Sequence, residues 1–407
     1  MRSRNLLWVA AASLSVFLSA CGGGGGSAPV ASTGATTTQS PSLPPQSMAL
    51  NQVPVTVDQN PAVTTYNTVN QPFVTVTICD SSGNCQNIDH VLVDTGSYGL
   101  RLMASAVTLN LPQETAPAGT SFAGDPVGEC ASFLTGYMWG SVRAGTVKLA
   151  GETASNLPIQ IVGDTSFASV PSACSGLGVD MGTVTALGAN GIIGVGLFNN
   201  DGQAYYACAG GTGTTCSVTA VTSEVSNPVA AFSTDNNGVI LQMQAIPSSG
   251  QATATGTLTF GVDTQADNSL SGYSILPADA QGYIAANLNG QNYSQSFIDS
   301  GSNFYYLNLS GVPTTTYGSN IYYAPASPLT YSATLSTTTG GSPYASQVAI
   351  TDPTTLNTSQ YAYNDVATLG PANTADLGMP FFYGKSVAYV VSGKTLPEGT
   401  GPFYAVH

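Results

Sequence analysis

Two short stretches of this sequence hold residue types suited to acid–base chemistry. In "NIDHVLVDTGSYGLRLM" the apolar run Val91-Leu92-Val93 ends in Asp94-Thr95-Gly96-Ser97. In "SQSFIDSGSNFYYLNL", Phe297-Ile298 ends in Asp299-Ser300-Gly301-Ser302. A short apolar run reads as a buried strand, so a carboxylate stands twice at the end of such a strand. That is unexpected in a chain of which only 7% is charged. Two carboxylates brought together cannot both ionise cheaply and come to share one proton. The ionised partner can take a proton from water while the protonated partner gives one to a substrate, the two roles that hydrolysis needs.

The flanking elements repeat as well. Before Asp94 comes "FVTVTICDSSGNCQNIDHVLVDTGS", a strand from Phe73, a turn, and the strand into the acid. Before Asp299 comes "GYIAANLNGQNYSQSFIDSGS", a strand from Tyr283, an Asn289-Gly290 turn, and the strand into the acid. Asn-Gly between alternating strands is a strong hairpin signal. Each unit is followed by an apolar run with glycine, "GIIGVGL" (Gly191 to Leu197) and "DLGMPFF" (Asp376 to Phe382). The same order occurring twice argues for two related halves, and 407 residues suffice for two cores. Elsewhere, short Val/Ile/Thr/Tyr/Phe runs punctuated by Gly, Asn, Pro and Ser, with little helical periodicity, predict a mostly β protein.

On these residues the chain resembles the pepsin-like, two-lobed aspartic peptidases. Two further stretches fit that plan: Gly256 to Asp279 resembles the entry to the second lobe, and "ADLGMPFFYGKSVAYVV" the closing Leu-Gly-x-x-Phe segment and last strand. The match covers most of residues 60–391. The resemblance implies an all-β fold with minor α, an N-terminal β lobe over 56–245 and a C-terminal β lobe over 246–407. Each lobe would contribute one acidic turn to a cleft, with the apolar-Gly strands crossing beneath. Asp94 and Asp299 are then the expected catalytic dyad, titrating as a pair with no metal and no organic cofactor. Gly96 and Gly301 would let the turns approach each other. Thr95, Ser97, Ser300 and Ser302 would hydrogen-bond carboxylates and backbone. The expected partner is a peptide or protein substrate, and the expected state a monomer.

The flap hairpin departs from the family pattern. Aligning the strand from Gly140 to Gly151 puts Phe133 where the family has a tyrosine and Leu134 where it has a glycine. Tyr137 or Trp139 are the alternatives for a longer hairpin. Arg101 stands where the family has a tryptophan; a cation there would lower the carboxylate pKa values, unless it faces solvent or pairs with an acid. These departures leave a second reading open, a non-catalytic peptide- or glycan-binding or inhibitor-like protein on the same scaffold. The Tyr/Thr/Ser/Asn-rich region Ser310 to Tyr363 would suit a recognition surface.

At the N-terminus, Arg2 and Arg4, an apolar run from Leu6 to Leu18, and "LSAC" mark a secretory signal over residues 1–20. The ending resembles a bacterial lipobox, which implies acylation of Cys21, a lipid anchor and, with Gly22 following, the outer membrane. The chain thereby fits a poorly characterised branch of bacterial lipoproteins in the cell envelope, facing the periplasm or the outside. Residues 21–55 read as the acylated cysteine and a flexible tether. No Lys or Arg lies between Cys21 and Phe73, which argues against an electrostatically docked prosegment. The net charge of −14 becomes more negative once Arg2 and Arg4 leave, disfavouring nucleic acid as a partner. Six cysteines remain after Cys21, an even number suited to an oxidising compartment. Cys79–Cys85 and Cys208–Cys216 read as bridged turns, leaving Cys130–Cys174. With only His90 and His407 and no CxxC pair, zinc is not expected.

Overall fold

A computed structural model of the chain describes residues 48–407 except 61–67, 135, 210–214, 318–319 and 338–342. The signal segment, Cys21 and residues 22–47 of the tether lie outside the described residues.

The protein is all-β, and its helices are single turns such as Ser172–Ser175 and Val184–Leu187. Strands assemble into a 16-stranded sheet, a 9-stranded sheet and a two-stranded ribbon. Within the large sheet, six strands close into a barrel. They run Pro72–Cys79, Cys85–Asp94, Gly191–Val195, Tyr98–Met103, Glu152–Val162 and Gly136–Leu149, and the last pairs back to the first. Closure follows from composition. Alternate residues of these strands are Val, Ile or Leu, and they fill the interior, with Val76, Ile78, Val91, Val93, Leu100 and Leu102 among those fully or nearly fully buried.

The first strand, Gln52–Val57, belongs to this body rather than to the tether, whose expected end at residue 55 is corrected. Val53, Val55 and Val57 alternate into the core, and the strand lies antiparallel to Ala254–Phe260. The large sheet also takes in Gly238–Met243, Ser274–Pro277, Ser386–Val390 and Phe403–Val406. The second sheet gathers strands between Ile284 and Leu377. A division of the chain at 245/246 therefore does not coincide with the boundary between the sheets.

The expected disulfides Cys79–Cys85, Cys130–Cys174 and Cys208–Cys216 are all formed. Cys79–Cys85 and Cys208–Cys216, with spacings of 6 and 8 residues, each join directly paired positions on adjacent strands.

Candidate active site

Both acidic turns are positioned by the same device. The strand Cys85–Asp94 runs parallel to Gly191–Val195, with Val93 opposite Ile193 and Asp94 opposite Gly194. After the turn the chain returns as Tyr98–Met103, antiparallel to that same strand. In the second sheet, Gln291–Ile298 runs parallel to Asp376–Leu377, and Tyr305–Leu307 returns antiparallel to it. The apolar-Gly segments thus lie between the strand entering each turn and the strand leaving it.

The turns meet. Ser300 N donates to Thr95 Oγ1 at 2.8 Å, and Thr95 N donates to Ser300 Oγ at 3.2 Å. Ser300 Oγ in turn donates to Val93 O at 2.6 Å. This exchange joins strands of two sheets across a sequence separation of 205 residues. Gly96 and Gly301 are required by the closeness of the approach. A Cβ on Gly96 would sit 2.5 Å from Asp299 Cγ, and one on Gly301 would sit 2.6 Å from Asp94 Cγ.

The carboxylates are held by their own turns. Asp94 Oδ1 accepts from Gly96 N at 2.9 Å and Ser97 N at 3.1 Å, and Oδ2 accepts from Ser97 Oγ at 2.6 Å. Asp299 Oδ1 accepts from Gly301 N at 2.8 Å, and Oδ2 lies 3.0 Å from Ser302 Oγ. Asp94 is 3% exposed and Asp299 0%, and the two carboxyls lie close enough that each shifts the other's pKa. Burial raises the pKa of both. It is offset at Asp94 by Ser97, Asp299 and the turn amides, and reinforced at Asp299 by repulsion from Asp94 and Asp376. The pair titrates as a unit, and this balance of donors favours the charge on Asp94 and the proton on Asp299.

The remaining sequence candidates lie elsewhere. Phe133 is buried in a cluster with Phe73, Leu92, Met138 and Ile192. Tyr137 and Trp139 alternate onto the opposite face of the hairpin strand, packed with Cys130–Cys174, Phe167 and Tyr206, and Trp139 Nε1 donates to Phe167 O at 2.7 Å. None of the three projects as a flap side chain; the apolar-in alternation of Gly136–Leu149 consumes them in the core. Leu134, near the hairpin tip, reaches furthest, packing against a cluster that includes Phe304, Tyr306 and Tyr322 of the second sheet.

Arg101 is neither solvent-facing nor directed at the dyad. It is 1% exposed; Nη2 donates to Glu129 Oε1 and Asp201 Oδ2, each at 2.6 Å, and Nη1 donates to Tyr98 O at 2.6 Å. Burial works against its charge, but Glu129 and Asp201 override it and raise its pKa. Its cationic influence is spent on these two acids, so the expected lowering of the dyad's pKa values is not found.

Two features escaped sequence reasoning. Asp376 is wholly buried with its Oδ2 2.7 Å from Ser302 Oγ; its only sequence signal was an acid at the head of an apolar run. The stretch Thr68–Gln71, outwardly a polar loop, is buried and pinned to the second turn. Asn70 Nδ2 donates to Asn303 O at 2.8 Å and Asn303 Nδ2 donates to Val69 O, while Gln71 Nε2 donates to Leu187 O at 3.0 Å. Among the described residues no three His, Cys, Asp or Glu side chains are arranged to hold a metal ion.

These features define an all-β protein with a buried pair of carboxyls held by reciprocally bonded turns. The chain belongs to the family described as "Protein of unknown function (DUF3443)", whose model matches residues 47–406. No curated protein matches it.

Proposed function

We propose that this chain is an aspartic endopeptidase of the two-lobed, pepsin-like plan, hydrolysing peptide bonds of a peptide or protein substrate. The observation that carries this reading is the reciprocal bonding of Thr95 and Ser300, which holds Asp94 and Asp299 in contact. Asp94, the ionised partner, takes a proton from a water whose oxygen adds to the scissile carbonyl carbon, while Asp299 gives its proton to the carbonyl oxygen. Collapse of the tetrahedral adduct breaks the C–N bond, with a proton returned to the leaving nitrogen. Because both acids are buried, a substrate reaches them only once the fold opens around them. The N-terminal pattern supports placing the protein in the cell envelope, anchored through an acylated Cys21 in the outer membrane.

The test is cleavage of a mixed peptide library by purified protein from acid to neutral pH, beside Asp94→Asn and Asp299→Asn. Cleavage by wild type that both substitutions abolish supports the reading; cleavage that survives either one removes it.

One observation favours a second reading. A dyad covered in this way suits a non-catalytic peptide- or glycan-binding or inhibitor-like protein in which the acids fasten two lobes together. A well-folded wild type that cleaves nothing at any pH, yet loses stability in both variants, would select it.

A further inference from the structure

Asp376 is an acid in a position built for an apolar side chain. It opens the strand Asp376–Leu377, with Phe297 opposite it on one side and Tyr306 on the other. It is 0% exposed, and its Oδ1 has no hydrogen-bond partner. Its Oδ2 lies 2.7 Å from Ser302 Oγ, which also lies 3.0 Å from Asp299 Oδ2. A serine hydroxyl owns one hydrogen and donates one bond. Two carboxylate oxygens cannot both accept it, so one of the two acids must donate a proton of its own to Ser302 Oγ. Asp299 also faces Asp94, whose charge acts on it, whereas among the described residues Ser302 is the one hydrogen-bond partner of the Asp376 side chain.

We propose that Asp376 is a third, proton-bearing member of the site, a positioning residue whose O–H donates to Ser302 and so turns the Ser302 O–H onto Asp299. The inference rests on reading Asp94 and Asp299 as a working pair. The hydrogen bonds then run in one direction, Asp376 to Ser302, Ser302 to Asp299, and Asp299 to Asp94. When Asp376 releases its proton to solvent, Ser302 swings its hydrogen to the new carboxylate. Asp299 then loses a donor, gains a negative neighbour, and holds its own proton more tightly. A proton held more tightly is given to a substrate less readily. Burial accordingly pushes the Asp376 carboxyl well above the usual range, against the Ser302 bond, with Asp94 adding repulsion. The titratable groups around it are Asp94, Asp299 and the phenols of Tyr306, Tyr389 and Tyr404, so these described neighbours supply no compensating cation.

The experiment is a carbon-13 carboxyl NMR titration of the whole protein, with aspartates assigned through the backbone, for wild type and Asp376→Asn. In wild type the Asp376 carboxyl should titrate at least about one pH unit above the exposed aspartates, which ionise near about 3.9. The Asp299 carboxyl should show one more titration step in wild type than in Asp376→Asn, because it senses the reversal of Ser302. Ionisation of Asp376 together with the exposed aspartates overturns the proposal, and that readout needs no variant to fold. Identical Asp299 curves in the two proteins also overturn it. Neither readout uses catalysis, so a protein that cleaves no peptide removes the peptidase reading while the titration still decides this one.

Discussion

Behind Asp94, two residues back along the strand, the parallel partner presents Ile192; at the corresponding place behind Asp299 it presents Asp376. The two halves otherwise match closely, in hairpin, acidic turn, parallel partner and antiparallel return. Ile192 packs into an apolar cluster with Phe133 and Leu92, so Ser97 has a single carboxylate to serve and donates to Asp94 alone. Ser302 faces two. Repeated backbone therefore does not mean repeated chemistry. One acid is surrounded by donors that favour its charge, and the other by acids that favour its proton, which is the division of labour a general base and a general acid require.

The comparison can be broken in several ways. Asp94→Asn and Asp299→Asn should each lower kcat/KM for peptide cleavage about a thousandfold despite their unequal surroundings, since each supplies half of one proton exchange. A difference between them much larger than tenfold would argue against a shared proton. Gly96→Ala and Gly301→Ala should push the carboxyls apart, lowering kcat about a hundredfold and costing about 1–3 kcal/mol in urea unfolding.

Smaller effects sharpen it. Ser300→Ala removes two bonds, to Thr95 N and Val93 O, and should cost about 2–4 kcal/mol. Thr95→Val leaves Ser300 N short of a partner and should cost about half as much. Equal costs would mean that the exchange does not bear on stability as described.

The weakest effect is on the pH dependence of folding. Asp94, Asp299 and Asp376 all have raised pKa values in the fold, from burial first. Their contribution is fully present below the unfolded aspartate value of about 3.9 and is lost as pH rises through the folded values. His90, raised by Asp58 and Asp89 against burial, acts in the same sense at higher pH. The urea midpoint should fall from about pH 4.5 to about pH 7.5, less steeply in Asp376→Asn. A midpoint that rises over this window would contradict the assignment.

How much of this was legible depended on how local each feature is. The hairpins, the acidic turns, the bridged turns at Cys79–Cys85 and Cys208–Cys216, and the all-β character are written within short windows. Phe133, Tyr137 and Trp139 were visible as aromatics, but which face of the hairpin each occupies was settled only by what packs there. Arg101 finds its acids 28 and 100 residues away, a distance at which no spacing pattern operates. Thr68–Gln71 drew no notice in the sequence because the groups that satisfy it come from Asn303, Tyr361, Tyr363 and Leu187. Asp376 was hidden by its apolar surroundings, and its meaning depends on Ser302 lying between it and Asp299.

The most direct test of the central claim is calorimetric binding of a statine-type transition-state analogue to wild type, Asp94→Asn and Asp299→Asn. A hydroxyl placed between two carboxyls that share one proton should bind the wild type with a pH-dependent affinity. Either substitution should weaken that binding about a hundredfold or more. Absence of binding to well-folded wild type at every pH, or equal binding by all three proteins, would contradict the account of Asp94 and Asp299 as a working pair.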